Sequence, residues 1–235
     1  MLLFSCSDDN DEPSLDASLS LTNGPVVTVN PSGVAPLTAE IIFSTNINVS
    51  VKIRVVGKND EAADVIHTFP SANDFELPVL GLYANYDNQV ELTFLGVQEQ
   101  DLGTLLFTIR MLPLVDHMPE IEINTINAEE IKSGFNFVNC FGHNDDFNPQ
   151  RPFMFDQFGD IRWYLDYSDH PLLSELFYDN GMGRLENGNL FFGDGSTNAI
   201  YEITMLGEIV NSWRLQGFGF HHHDIEKPNG NFLVT

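Results

Sequence analysis

A cluster of histidines near the end of the chain offers the clearest chemistry, because imidazole can act as a nucleophile, an acid or a metal ligand. Three of the seven histidines are consecutive, His221 to His223, and Asp224 follows directly. Alternate residues of a strand share a face, so His221 and His223 would lie on one side and His222 and Asp224 on the other. A histidine here could protonate a leaving group, because its pKa lies near neutrality.

Two other interpretations of these histidines remain open. The run could be the solvated end of a strand. Alternatively, His221 and His223 could bind zinc from one strand face, although two further ligands would be needed and none stands at a telling spacing. The oxygen-rich segment Gly193–Asn198 lacks the alternating acids and closing glutamate of a calcium loop, so we interpret it as a turn between strands. No metal and no cofactor are predicted.

The charge balance narrows the range of partners. The 235 residues include 34 acidic and 10 basic side chains, for a net charge near -24. This excess argues against binding to nucleic acid or to an anionic membrane surface. An anionic small substrate remains compatible, because a pocket can differ in sign from the whole surface.

The N-terminus resembles the end of a bacterial lipoprotein signal. A short apolar run, Leu2–Ser5, precedes Cys6, the residue that would become the lipidated N-terminus. Residues 7–14 are acidic and lack apolar side chains, as expected of a solvated tether. We therefore assign 1–17 to a signal remnant and tether, and expect the cell envelope as location, with membrane contact only through a lipid on Cys6. The alternative is a stray cysteine.

Residues 18–112 are predicted to form an N-terminal β-sandwich that serves as scaffold or substrate-gating surface. The run Val49–Val55 alternates apolar and polar residues, which buries its odd-numbered residues and leaves Lys52 and Arg54 in water. Turn signals such as Asn30–Gly33 separate runs of this kind at sandwich-like spacing. A linker with two prolines follows at 113–134.

Residues 135–235 contain a repeat with a period in the forties. The segment Gly207–Trp213 echoes Gly159–Trp163, and Lys227–Leu233 echoes Glu186–Phe192. The Asn-Gly pairs in the second motif predict two-residue hairpin turns in which both central residues take positive φ. Several strands per repeat of this length predict propeller blades, although two unrelated hairpins could also match by chance.

The predicted fold class is therefore all-β, an N-terminal β-sandwich followed by the first blades of an incomplete β-propeller. A propeller needs about 4–8 blades to close, and residues 135–235 supply about two. The last apolar run reaches Thr235 without a turn after it. We expect further blades beyond this point, and expect the 235-residue piece alone to be inactive because its ring cannot close.

Three features in this order resemble the bacterial arylsulfate sulfotransferase family. Leu77–Asn88 is similar to a signature of that family's N-terminal domain, and Phe158–Tyr164 is similar to its first blade. The stretch His222–Asp224 then precedes Pro228–Asn231. The resemblance covers about residues 20–235 and would correspond to the front half of a family member.

The resemblance implies a six-bladed propeller with its active site at the central channel. Members move a sulfuryl group from a phenolic sulfate ester to another phenol through a transient sulfohistidine, without a nucleotide donor. The nucleophilic histidine and a sulfate-binding arginine would then lie after Thr235. A second histidine lines the family's site, and the matching position here is His222 or His223, as a supporting catalytic residue that holds or protonates the substrate.

Two other functions compete with sulfuryl transfer. One is a non-enzymatic surface propeller lipoprotein that binds glycans or other ligands, since propellers host many unrelated functions. The other is a metal-binding propeller built on the histidine cluster. For the leading interpretation, the partners are a phenolic sulfate donor and a phenol acceptor, and a homodimer is compatible with it.

Overall fold

The structure, a computed structural model, describes residues 15–59, 61–116, 118–124, 134–139, 149–178, 181–214, 216–217, 225–226 and 232–233. Its ordered elements are almost all strands, with a single short 3-10 turn at Glu61–Ala63. The strands are β1 Leu21–Val29, β2 Ala39–Val55, β3 Val65–Val79, β4 Asp87–Leu95, β5 Asp101–Arg110, β6 Asn136–Val138, β7 Phe153–Phe155, β8 Ile161–Tyr164, β9 Gly183–Arg184, β10 Leu190–Asp194, β11 Ala199–Ile203, β12 Ile209–Trp213, β13 Ile225–Glu226 and β14 Phe232–Leu233. The predicted all-β class is confirmed.

The first five strands form one antiparallel sheet that curls around a core. Its order is β1-β2-β4-β5, and β3 pairs with the other edge of β2. The 17-residue strand β2 pairs with β1 along its first half and with β4 along its second half. A register irregularity between Ser44 and Val49 separates the two halves. The long strands β2 and β3 thus extend through both halves of the curled sheet, whereas β1 and β4 each pair with one half of β2.

The alternation predicted for the second half of β2 is confirmed. Val49, Val51, Ile53 and Val55 are all buried. Arg54 on the opposite face is not simply solvated, because its Nε donates to Asp64 at 2.6 Å and its Nη1 contacts Glu91 at 3.2 Å.

Asn88, within the segment that resembles the family signature, is fully buried and organises the loop before β4. Its Oδ1 accepts the N–H of Tyr83 at 2.7 Å. Its Nδ2 lies within hydrogen-bond distance of three backbone carbonyls, those of Tyr83, Tyr86 and Ile109. An amide can fill this position because it carries a donor and an acceptor on one side chain.

Two smaller antiparallel sheets follow, each in sequential strand order. The first blade-like sheet is β6-β7-β8, and the second is β9-β10-β11-β12. Strands β13 and β14 pair with each other. Four strands in sequential order make a typical propeller blade.

Three hairpin turns in these sheets share one geometry. They are Asp156–Asp160, Leu185–Asn189 and Thr204–Glu208. In each, the first residue's N–H donates to the fifth residue's carbonyl, and the fourth residue's N–H donates to the first residue's carbonyl. The fourth residue is always glycine, with φ between 83° and 90°. This pattern is a type I turn followed by a left-handed residue that forms a bulge.

The structure corrects the turn type predicted for the Asn-Gly pair. Gly188 has positive φ, whereas Asn187 does not, so the turn is not the two-residue type in which both residues are left-handed. Asn187 instead uses its side chain, whose Oδ1 accepts the N–H of Asn189 at 2.9 Å. A side chain that bonds the backbone two residues on stabilises a right-handed turn residue.

The β7–β8 and β11–β12 hairpins also carry a bulge at the same place. It leaves Arg162 unpaired in the first sheet and Val210 unpaired in the second. The register makes Trp163 equivalent to Asn211, in agreement with the offset of 48 residues between Gly159 and Gly207. The repeat itself is present in the hydrogen-bonding pattern.

Hydrophobic cores join the N-terminal sheet to the blade-like sheets. Phe153, Ile161 and Tyr164 of the first blade-like sheet pack in the core of the N-terminal sheet. Conversely, Val34 and Ala35 from the β1–β2 loop pack in the core of the blade-like sheets. Within the described part of the chain, no helix is long and apolar enough to span a membrane.

Candidate functional site

The predicted site residues His222 and His223, and the predicted lipidation site Cys6, lie outside the described residues. The structure does describe the strands that follow the histidines. Ile225 pairs with Leu233 and Glu226 with Phe232, which matches the pairing of Gly183 and Arg184 with β10. The β13–β14 hairpin therefore repeats β9–β10 in register, as the sequence repeat predicts.

The repeat makes Gly181 and Met182 the counterparts of His223 and Asp224. Met182 is buried, and its N–H donates to the Oδ1 of Asn139 at 2.9 Å. Asn139 directly follows β6, so this contact joins the start of the second blade-like sheet to the first. In the described repeat, the position before the first strand thus lies at a junction between neighbouring sheets.

The most strongly buried charge in the described residues is Arg162, the bulge residue of β8, whose side chain is 0% exposed. Its Nη1 donates to the Asp156 carboxylate at 2.8 Å and to the Ala63 carbonyl at 3.2 Å. Its Nε donates to the Gly81 carbonyl at 2.8 Å. Its Cζ lies 3.5 Å from the centre of the Tyr83 ring, which is a close cation–π contact.

The partners of Arg162 are themselves held in place. Asp156 begins a hairpin turn, and its Oδ1 accepts the N–H groups of Phe158 and Asp160. The hydroxyl of Tyr83 accepts the N–H of Lys58 at 3.0 Å. Burial is the main cause that raises the pKa of Tyr83, so the phenol stays protonated at neutral pH. Backbone N–H groups therefore hold both Asp156 in the β7–β8 turn and Tyr83 in the β3–β4 connection in the positions that contact Arg162.

Arg162 has little capacity left to bind a sulfate. Its charge is balanced by Asp156, and only Nη2 lacks a hydrogen-bond partner among the described residues. A cleft of about 220 Å³ lies beside the pair, but the charged side chains that line it, Asp64 and Asp156, are both acidic and offer no positive charge to an anion. We therefore interpret the cluster as structural. Sequence analysis did not predict this cluster. The one feature of the sequence that pointed to it is a single arginine within the otherwise apolar strand Ile161–Tyr164.

A second polar cluster surrounds Glu202 on β11. Its Oε1 accepts hydrogen bonds from the amides of Asn187 and Asn189, and its Oε2 accepts one from Asn211 at 2.7 Å. These three amides, with Asn189 the largest contributor, lower the pKa of Glu202. The carboxylate thus connects the β9–β10 turn to the outer strand β12. In the described repeat, Asn187 and Asn189 therefore stabilise the sheet through this carboxylate.

The described histidines have no catalytic surroundings. His67 is exposed on β3, and its ring contacts that of Phe69 edge to face at a centroid distance of 4.6 Å. The Nδ1 of His170 accepts the N–H groups of Leu172 and Leu173, and burial lowers the pKa of this imidazole. Among the described residues, no three His, Cys, Asp or Glu side chains are grouped to hold a metal ion.

The fold and the repeat define a class of protein in which an N-terminal curled sheet is followed by blade-like sheets. Comparison with known families resolves the class further. The family described as "Arylsulfotransferase Ig-like domain" matches residues 26–102, and the family described as "Arylsulfotransferase (ASST)" matches residues 120–235. The chain belongs to the arylsulfotransferase family.

Two curated relatives are similar over most of the chain. The arylsulfate sulfotransferase AssT of Escherichia coli O6:H1 is 23% identical over 257 aligned residues, and that of Lelliottia amnigena is 24% identical over 252. Each alignment covers 88% of this chain but 42% of the relative. The chain thus spans less than half the length of the curated relatives it matches.

A solved structure of a catalytically inactive virginiamycin B lyase from Staphylococcus aureus with quinupristin also matches. It is 12% identical, and the match covers 92% of this chain and 66% of that chain. The TM-score is 0.29, which is too low to support an argument about fold or function.

Replacing Arg162 should destabilise the protein far more than replacing an exposed arginine. In Arg162→Met the Asp156 carboxylate loses its buried partner, and we expect a loss of about 3–5 kcal/mol in the free energy of unfolding. Arg110→Met, at a side chain 57% exposed, should change it by less than about 0.5 kcal/mol. Chemical denaturation measures both; equal effects would contradict the role assigned to Arg162.

The contribution of Glu202 to stability should depend on pH. Because its pKa is lowered in the folded state, its stabilising effect is present above the unfolded-state pKa and is lost as the pH falls through the folded-state pKa. Glu202→Gln should therefore cost about 1–3 kcal/mol at pH 7 and much less in acid. The exposed Glu208→Gln is the matched control, measured by denaturation across the same pH series. A cost for Glu202→Gln that does not change with pH would be the contrary result.

Proposed function

We propose that the protein containing this chain transfers a sulfuryl group from a phenolic sulfate ester to a phenol acceptor through a sulfohistidine intermediate. The observation that carries the proposal is the match of two arylsulfotransferase family models, in order, to residues 26–102 and 120–235. The curated relatives named arylsulfate sulfotransferase support the same substrate class.

The proposed reaction has two steps. In the first, an imidazole nitrogen of a histidine after Thr235 attacks the donor sulfur, the bond between sulfur and the phenolic oxygen breaks, and the departing phenolate takes a proton. In the second, the acceptor phenol loses a proton, its oxygen attacks the same sulfur, and the nitrogen–sulfur bond breaks. The sulfuryl group is transferred without oxidation or reduction.

His222 and His223 are proposed as the supporting residues that contact the sulfuryl oxygens or protonate the phenolate. An imidazole with a pKa near neutrality suits both tasks. Support comes from the described repeat, in which the counterpart of His223 is Gly181, at a junction between neighbouring sheets. At a junction of this kind, side chains from more than one sheet can contribute to a single site.

The test is phenol release from a chromogenic aryl sulfate by the full-length protein, with and without an acceptor phenol. We expect release to depend on the acceptor, and the sulfated acceptor to form in equal amount. His222→Asn or His223→Asn should lower kcat about 100-fold or more, which is the usual contribution of a general acid to the rate. The loss in kcat should be larger for donors whose phenols have a higher pKa, because departure of a more basic phenolate depends more on protonation.

His67→Asn is the control, since His67 is exposed on the N-terminal sheet and should leave kcat unchanged. Release that does not require an acceptor would indicate a sulfatase instead. Full activity in both the His222 and His223 variants would remove these residues from the mechanism. A folded wild-type protein with no turnover would favour a binding propeller.

We also propose that the protein is a lipoprotein of the bacterial cell envelope, anchored through Cys6. The support is the short apolar run before Cys6 and the acidic segment 7–14 after it. Incorporation of labelled fatty acid into the wild-type protein and its absence from Cys6→Ser would be the expected result. Labelling that persists in Cys6→Ser would exclude this anchor. The limits 18–112 for the N-terminal domain, 113–134 for the linker and 135–235 for the propeller stay predictions.

A further inference from the structure

The loop between β1 and β2, residues 30–38, extends from the N-terminal sheet to both blade-like sheets. We call it the bridging loop. Its Ala35 is fully buried and Val34 nearly so, and both belong to the second core rather than to the core of their own sheet. A loop normally runs over the surface, so burial of its tip in another part of the molecule indicates a specific role.

The bridging loop is rigid by construction. Gly33 donates to the Asn30 carbonyl at 3.0 Å, and the Oδ1 of Asn30 accepts the N–H of Ala35 at 3.0 Å. Both the N–H and the hydroxyl of Thr38 donate to the Ala35 carbonyl, and the Asn30 N–H donates to the Thr38 carbonyl. These bonds fix the position of Val34 relative to the N-terminal sheet.

On one side the bridging loop contacts the chain that leaves the first blade-like sheet. The Val34 carbonyl accepts the N–H of Asp166 at 2.8 Å. The side chains of Trp163 and Leu165 belong to the same buried cluster as Val34. This side of the loop is therefore held to the end of β8.

On the other side the bridging loop contacts the β11–β12 turn of the second blade-like sheet. The Ser32 hydroxyl donates to the Leu206 carbonyl. A Cβ on Gly207 would lie 2.6 Å from the Cγ2 of Val34, so the glycine is needed for the close approach. The same turn accepts hydrogen bonds from β8 and from the chain after it. Trp163 donates to the Met205 carbonyl at 2.7 Å, and Tyr167 donates to the Gly207 carbonyl at 2.9 Å.

We propose that the bridging loop sets the relative orientation of the two blade-like sheets, and that Val34 is a positioning residue for the transfer site. The second part rests on the proposed function. The β11–β12 turn leads into β12, and the chain after β12 leads to His221–His223. A shift of the turn would therefore shift the start of β12, the strand from which the chain continues toward the proposed site histidines. Val34 acts through Gly207 and does not touch substrate.

The decisive comparison is Val34→Ala with Val34→Thr in the full-length protein. Threonine keeps the branched shape but adds a hydroxyl, whereas alanine removes both Cγ atoms, including the Cγ2 that meets the turn. Both variants should be less stable than wild type. Well below its unfolding temperature, Val34→Ala should lower kcat at least about tenfold with little change in donor KM, as expected of misplaced catalytic groups. Val34→Thr should keep kcat within about twofold of wild type, which its intact shape allows.

Amide hydrogen exchange provides a readout that does not depend on activity. In Val34→Ala the amides of Thr204 and Gly207 should exchange faster. The turn Leu185–Asn189 has the same hydrogen bonds without contacting the bridging loop, and its amides should not change. Val29→Ala, at a side chain 43% exposed on the same sheet, is the matched control and should change neither turn.

The contact itself can be measured by a double-mutant cycle. Gly207→Ala introduces a methyl group that collides with Val34, and Val34→Ala removes the colliding atom, so the double variant should recover part of the kcat lost in Gly207→Ala. Gly188→Ala, with a similar positive φ but a nearest neighbour of its Cβ only at 3.8 Å, the Nη2 of Arg184, controls for backbone strain and should gain nothing from Val34→Ala.

The outcomes separate the two proposals. Unchanged exchange at Thr204–Glu208 in Val34→Ala would overturn the role of the bridging loop. Equal kcat losses in the alanine and threonine variants would reduce Val34 to a stabilising residue and overturn its positioning role. A wild-type protein without aryl sulfate turnover would refute the proposed function, and the exchange data would then decide the structural role alone.

Discussion

Burial of the Arg162 guanidinium is the constraint that fixes how the parts of this protein fit together. A fully buried charge is tolerated only where its hydrogen-bonding groups and a counter-ion are in place. Here Gly81 and Ala63 supply carbonyls from connections between strands of the N-terminal sheet, while Asp156 supplies the carboxylate from the β7–β8 turn of the first blade-like sheet. Neither sheet satisfies the charge alone, so their relative position is set by the same contacts that make the burial possible.

The two blade-like sheets show how one local geometry can be put to two uses. Their hairpins have the same turn and the same bulge, and a bulge redirects the side chain of its unpaired residue. In the first sheet that residue is Arg162, which points into the contact with the N-terminal sheet. In the second it is Val210, which is 49% exposed. The repeat preserves the backbone, while the side chain at the bulge determines what each sheet packs against.

Local sequence patterns predicted the features that depend on near neighbours. The alternation in Val49–Val55 gave the buried face of β2, and the spacing of glycines gave the repeat. The turn at Asn187-Gly188 was wrong in type because the side chain of Asn187 bonds the backbone, which the dipeptide alone does not reveal. Residue chemistry drew attention to the histidine cluster, and the family resemblance supplied the supporting role of His222 or His223. Both residues lie outside the described part of the chain, so their placement stays a prediction.

Long-range contacts could not be predicted in the same way. Arg162 meets Gly81 and Ala63 across 81 and 99 residues, and Ser32 meets Leu206 across 174. No periodicity within a strand encodes such pairs. The curled form of the N-terminal sheet could not be predicted for the same reason. It depends on the pairing of β2 with three other strands, and alternation within short strands does not reveal which strands pair.

The burial of Val34 and Ala35 has a consequence for biosynthesis. The N-terminal sheet is made first, but the residues that cover the tip of its loop come as late as Leu206, 174 positions after Ser32. At a synthesis rate of 5–20 residues per second, the loop waits roughly 10–35 s for its cover. A nascent chain paused in this interval presents apolar side chains on an otherwise folded sheet, which makes it a substrate for chaperones that bind exposed hydrophobic surface.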